Sequence, residues 1–207
     1  VIYLNPSLKI PAMGLLFPNY TPDSIFSLGT MFDKTDIFEE DVLNHLITVK
    51  AMQNFGCLGY KTGENKYSYA ELTPDKVDAL FNVLKTMAGY VFVDCTDEEN
   101  DLISKFALRE ANEIVMVISP DLKSMVYLAS NEMEFGTKAE NALRILNVTE
   151  NDLYSPIDDV RGVAKNIGYV LPYSKQIRGQ HLDGLLYERA KDKKYRRELE
   201  KIIKKIM

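Results

Sequence analysis

Short runs of β-branched and aromatic residues alternate along this chain with stretches whose apolar positions recur at helical spacing. Val1–Leu4 reads as a strand stopped by Asn5-Pro6, because proline lacks a ladder donor. Prolines and glycines make residues 6–24 mostly loop. Helical spacing predicts a helix over Ile37–Val49 and a short strand over Phe55–Tyr60 follows. Thr73-Pro74 opens the next helix, with Thr as N-cap and Pro at the first helical position. Val77, Leu80, Phe81, Leu84 and Met87 form its apolar stripe, and Gly89 ends it. Tyr90–Val93 and Ile114–Ile118 are continuous apolar runs, which predict strands buried on both faces. Helices are predicted over Glu98 to Ala111, Leu122 to about Glu140, Ile157–Asn166, Ser174–Tyr187 and Ala190–Met207. Weaker strands fall at Leu143–Leu146 and Ile167–Leu171.

Strands separated by helices predict βαβ units and one mainly parallel sheet covered on both faces, a three-layer αβα arrangement. In such sheets ligands bind at the carboxyl ends of the strands. Asn5, Asp94, Pro120, Asn147 and Pro172 all fall at those ends.

Composition narrows the class. The 207 residues are 46% hydrophobic and 27% charged, an ordinary globular balance, and one domain over residues 1–207 is expected. No run is long and apolar enough to cross a bilayer. Two cysteines, Cys57 and Cys95, make no disulfide scaffold and fit a cytoplasmic location. His45 and His181 lie far apart, and nothing has zinc-ligand spacing. The chain carries a net charge of −5, but its last 20 residues hold nine cations and four anions. The acidic body argues against a nucleic-acid surface. The opening Val1-Ile2-Tyr3-Leu4-Asn5 reads as a strand already in progress, and predicts an upstream segment, with a further upstream domain possible.

Asp94 is the sharpest chemical feature. A hydrophobic strand ending in Asp is how P-loop NTPases set a carboxylate near a nucleotide-bound magnesium ion, commonly through a water. A strand-ending Asp is as often a helix cap or loop residue. Its decisive companion, Gly-x-x-x-x-Gly-Lys-Ser/Thr, is absent. The glycines at 56, 59 and 63 have the wrong spacing, and Gly136-Thr137-Lys138 interrupts a helical stretch. Cys95 beside Asp94 reads as a packed thiol, since neighbouring acids raise its pKa. Arg109, Lys123 and Lys175 read as solvated surface.

Taken in order, VIYLNPSLKIPAMGLLF (1–17), YVFVDCTD (90–97), ALREANEIVMVISPDLKSM (107–125), RILN (144–147) and NIGYVLPYSKQIRGQHLDG (166–184) resemble the MinD/ParA superfamily of deviant-P-loop ATPases. Nearest in look is the CpaE/TadZ branch of pilus assembly ATPases. The resemblance covers nearly the whole chain but begins at the family's second strand. It implies a P-loop NTPase fold of the SIMIBI class, with ATP and magnesium as cofactors and a homodimer as the working form. Asp94 matches the Walker B aspartate, which holds magnesium through water. Asn5 and Ser7 stand where MinD and ParA carry two aspartates, so weak ATP hydrolysis at most is implied. Pro120 matches a Pro-containing turn, Asn147 a strand-ending Asn at adenine, and Pro172, Tyr173 and Ser174 the turn lining the adenine site. The family's first strand, which bears the phosphate loop, has no counterpart, which would leave two neighbouring strands with unpaired backbone groups.

The resemblance implies an ATP-binding localisation switch that positions a Flp pilus or secretion machine. A degenerate, non-hydrolysing scaffold and a ParA-like partition or conjugative-element ATPase are the alternatives. Partners would be proteins of a pilus, secretion or partition system, at a polar or membrane-peripheral place in the cytoplasm. Leu199, Ile202, Ile203 and Ile206 form an apolar stripe flanked by Arg196, Arg197, Lys201, Lys204 and Lys205. Such a helix can lie on an anionic membrane, so a weak membrane contact through residues 191–207 is one reading. The favoured reading has it packed on the sheet, with Leu199, Ile202 and Ile206 buried.

Overall fold

In the computed structural model, residues 1–16, 27–48, 52–98, 100–131, 141–150 and 157–207 are described, Gly14 and Leu15 by their backbone alone. The predicted continuation of a helix to Glu140 and the Gly136-Thr137-Lys138 segment lie outside them. The chain divides into two compact units, Val1–Glu110 and Ala111–Met207.

The first unit holds strands β1 (Ile2–Asn5), β2 (Ile47–Thr48), β3 (Gly56–Gly59) and β4 (Val91–Val93), in the order β2-β3-β1-β4. Its helices are α1 (Met13–Leu16), α2 (Leu28–Phe32), α3 (Glu39–His45), α4 (Pro74–Met87) and α5 (Leu102–Glu110). β1 runs parallel to both β3 and β4, while β2 pairs antiparallel with β3. Side chains alternate across a strand, so Ile2, Leu4, Val91 and Val93 point to one face and Tyr3, Asn5 and Phe92 to the other. The first set packs with Leu58 and with Val77, Leu80, Phe81 and Leu84 of α4 in the principal core. This is the stripe that helical spacing predicted. Thr73 sits at the N-cap of α4 without a side-chain cap bond, and Pro74 opens the helix as expected. Gly59 is needed for packing: a Cβ there would come within 2.5 Å of Met13, which is fully buried.

The second unit holds β5 (Val115–Ile118), β6 (Leu143–Asn147) and β7 (Ile167–Leu171), in that order and all parallel. Its helices are α6 (Leu122–Asn131), α7 (Ile157–Val163), α8 (Lys175–Leu182) and α9 (Lys193–Ile206). Helices α6 and α7 cover one face, through Leu128, Val160 and Ala164 against Ile118 and Leu146. Helix α9 covers the other, through Ile202 with Tyr195, Leu199 and Ile206 against Ile145, Leu171 and Tyr169. The favoured reading of the last helix therefore holds: Ile202 is buried and its two companions are partly buried. Ile203 departs from the expected stripe and is exposed. Asp192 caps α9 by accepting from the amides of Lys194 and Tyr195.

The α/β fold class is as expected, and four of the five strand pairings are parallel. The expected single sheet differs: among the described residues the strands form two ladders, one in each unit, and β4 and β5 each end their own. Nor are those two strands buried on both faces. Phe92 is 40% exposed and Val117 is 61% exposed. Each strand is the edge of its sheet. Val115 and Val117 share a face with Leu143 and Ile145, and α9 covers that face over β6 and β7 only. The predicted helix over 37–49 also stops early, at His45, and Ile47–Thr48 turns outward into β2. Asn166 adopts a positive φ and closes the α7 segment before β7.

Leu4 is completely buried, so Leu4→Ala should cost about 2–5 kcal/mol in chemical denaturation. Val117→Ala, at an exposed edge, should change stability by no more than about 0.5 kcal/mol. Equal costs would show that the exposure assigned to β5 is wrong.

Candidate functional site

The carboxyl end of β1 and β4 is built by register. The Asp94 amide donates to the Leu4 carbonyl at 2.9 Å, extending the β1–β4 ladder one step past the strand. That step sets Asp94 beside Asn5. The Tyr3 hydroxyl donates to Asp94 Oδ2 at 2.8 Å, and Asn5 Nδ2 donates to the same oxygen at 3.2 Å. Asn5 Oδ1 accepts from the Ser7 amide at 3.3 Å, and Ser7 Oγ donates to Glu98 Oε1 at 3.1 Å. Asn5 and Ser7 are buried, while Asp94 is exposed. Burial raises the Tyr3 phenol far above its ordinary pKa, so Tyr3 stays protonated and keeps donating. Tyr3 and Glu98 were missed in the sequence. Tyr3 could have been found by strand periodicity, since it lies two residues before Asn5 on the same face.

One oxygen of Asp94 is thus held by two donors, and Oδ1 makes no hydrogen bond to a described residue. The carboxylate is oriented rather than loose. A free, aimed oxygen can hold a water on a divalent cation. Among the described residues no group of three His, Cys, Asp or Glu could hold a metal ion.

The other predicted residues lie in the second unit. Asn147 ends β6, paired with Leu171, and the Val148 amide donates to the Leu171 carbonyl at 2.9 Å. Ser174 is buried and caps α8, accepting from the Ile177 amide at 3.4 Å. Pro172 and Tyr173 line a cleft of about 680 Å³ together with Val148, Tyr169, Arg161 of α7, and Lys194, Glu198 and Lys201 of α9. Asn147 and Ser174 are not in that lining. Its lining is largely apolar, with Ile157, Val170 and the two tyrosines beside the charged Arg161, Lys194, Glu198 and Lys201.

The lesser candidates have structural roles. His45 is buried, with Nδ1 2.6 Å from the Asp41 carbonyl and Nε2 3.2 Å from Thr30 Oγ1. Arg109 lies over the Phe106 ring at 4.8 Å and pairs with Glu110 at 3.0 Å. Desolvation, with the Asp101 and Asp94 charges adding to it, pushes the Cys95 thiol up to about 11.

No protein-family model matches the sequence, and no curated protein matches it significantly. Solved structures do match in fold. A ParA family ATPase from Chlorobium tepidum TLS aligns with a TM-score of 0.73 at 14% identity, over 96% of this chain and 83% of its own. The AMPPNP-bound plasmid partition protein of Borrelia burgdorferi B31 gives 0.66 at 15% identity, over 99% and 86%. A chain of the MinC:MinD cell division protein complex of Aquifex aeolicus is among the matches, at 0.62 and 12% identity, over 88% of this chain and 73% of that one. The chain has the α/β fold of ParA- and MinD-type P-loop ATPases.

Two outcomes test the first unit's geometry. Asn5→Asp replaces a donor by a second carboxylate beside Asp94, and like charges raise one pKa of such a pair. A raised folded pKa gives stability at low pH that is lost as pH rises through it. The variant's deficit against the parent chain should therefore be larger near about pH 8 than near about pH 5. A deficit independent of pH would mean that residue 5 and Asp94 do not interact. Cys95, with so little thiolate at neutral pH, should react with iodoacetamide at least about tenfold more slowly than free cysteine. Reaction as fast as the free amino acid would contradict its surroundings.

Proposed function

We propose that this chain belongs to an ATP-binding, dimerising localisation switch of the ParA/MinD type, both units being parts of one ATPase domain. The observation that carries the reading is Asp94, held by Tyr3 and Asn5 at the carboxyl end of β4. It lies in a fold that aligns with a ParA family ATPase over 96% of this chain. In this reading Asp94 holds magnesium through a water. Asn5 orients Asp94, and Asn147 with the Pro172–Tyr173–Ser174 turn serves the base. The exposed apolar edge of β4 supports a further strand beside it, the one that would bring the phosphate loop. A pilus-positioning role of the CpaE/TadZ kind, a homodimer and a polar site of action are parts of the same proposal. The packing of Leu199, Ile202 and Ile206 on the sheet favours a domain helix over a membrane anchor.

Asn5 and Ser7 favour weak hydrolysis or none, so a nucleotide-holding scaffold is the second reading. An amide can orient a carboxylate or a water but cannot accept a proton as a general base.

The test is titration calorimetry with ATP and magnesium. The 207-residue chain, which has no phosphate loop, should bind ATP weakly or not at all. Any longer form of the protein that brings a phosphate loop should bind it, and Asp94→Ala should weaken that binding and abolish its magnesium dependence. Unchanged affinity and magnesium dependence in that variant would refute the role of Asp94. Phosphate release by the longer protein separates switch from scaffold.

A further inference from the structure

We propose that Asp192 is a positioning residue that latches the turn after β7 to the first turn of α9, so that the two move together. This goes beyond the nucleotide reading and stands on contacts within the second unit alone. Ser174 is buried at the start of α8, and its Oγ accepts from the Ile177 amide at 3.4 Å. A hydroxyl that accepts still has its own proton to give, and here that proton goes to the Asp192 carboxylate. Asp192 Oδ1 meanwhile accepts from the amides of Lys194 and Tyr195 at 3.0 and 3.2 Å. The N-caps of α8 and α9 are therefore bonded to each other. With a carboxylate as acceptor, the joining bond is charge-assisted, about twice as strong as a neutral one.

A second grip comes from two glutamines of α8. Gln176 Oε1 accepts from the amides of Lys191 and Asp192 at 2.7 and 2.9 Å. Gln180 Nε2 donates to the Glu188 carbonyl at 3.3 Å. Gln180 Oε1 is buried with no partner among the described residues, and such an orphan lowers the cost of letting the connector go. The place of the latch gives it a consequence. Pro172 and Tyr173, just before Ser174, line one side of the cleft, and Lys194, Glu198 and Lys201 of α9 line another. A group seated against the turn therefore bears on α9 through Ser174 and Asp192. By linkage, the seating of α9 bears on the turn to the same degree.

Amide hydrogen exchange of the 207-residue chain, followed residue by residue by NMR, tests the latch. Asp192→Asn keeps a carbonyl oxygen for the α9 cap and removes the second oxygen, with the charge, that is offered to Ser174. It should speed exchange across the junction, at Ile177 and Arg178, which bond to the Ser174 hydroxyl and carbonyl, by about fivefold or more. Ser174→Ala should speed exchange at Lys194 and Tyr195 by a similar factor, and Ser174→Thr, which keeps the hydroxyl, should leave them near the parent rates. In the double variant Ser174→Ala, Asp192→Asn the cross-junction effects should not add, because both changes remove one bond. Exchange altered only within the mutated residue's own helix would make the two residues separate caps and overturn the proposal. Additive effects in the double variant would overturn it too, as would a uniform rise over the whole second unit. Where Ser174→Ala does not fold, Asp192→Asn alone decides, since it leaves the Ser174 cap of α8 in place.

Discussion

The parallel pairing of β1 with β4 decides most of what the first unit can do. Its register, Ile2 to Val91 and Leu4 to Val93, sends four aliphatic side chains to the same face, where α4 buries them. The same register leaves Tyr3, Asn5 and Asp94 on the other face, close enough for two donors to share one carboxylate oxygen. A slip by one residue would exchange the faces, putting Asn5 into the core and Leu4 among the polar groups. Core stability and the geometry of the candidate site are therefore one constraint seen from two sides.

The second unit uses the same logic with a different gap. Helices α6 and α7 cover one face of its sheet, while α9 covers only β6 and β7 on the other. Val115 and Val117 are left at the surface for want of a cover, although their composition suits a buried strand. Apolar edge strands are an aggregation liability that folded proteins normally pair, charge or shield. β5 and β4 carry none of those devices on their exposed valines and phenylalanine. β7, the opposite edge of the second sheet, instead has Gly168 exposed along it.

Much of this was legible in the sequence because periodicity reports on burial. The α4 stripe, the β5, β6 and β7 runs and the α9 stripe were read from spacing alone, and each forms the expected element. The failures have one physical source: periodicity says which face is apolar, not what covers it. Tyr90–Val93 and Ile114–Ile118 read as doubly buried because their residues suit it, yet each ends a sheet. Ile47–Thr48 read as helix because a two-residue strand is too short to show a period. At the site, Asp94 was visible as a strand-ending acid, and Asn5 as its neighbour through family resemblance. Tyr3 was hidden because a tyrosine in an apolar run is normally packing. Its hydroxyl becomes significant only when the register brings it to Asp94.

The choice of an amide at position 5 can be understood from the geometry it occupies. Asn5 Nδ2 lies 3.2 Å from Asp94 Oδ2, and Oδ1 accepts the Ser7 amide at 3.3 Å. A side-chain amide offers a donor nitrogen and an acceptor oxygen, and this position uses both, the nitrogen also reaching the Tyr3 hydroxyl at 3.4 Å. A carboxylate there could accept from Ser7 but would face Asp94 without a proton between them. Such a pair is tolerable where a bound cation offsets the repulsion. Asn5 instead orients the Asp94 carboxylate through a hydrogen bond, without a second charge beside it.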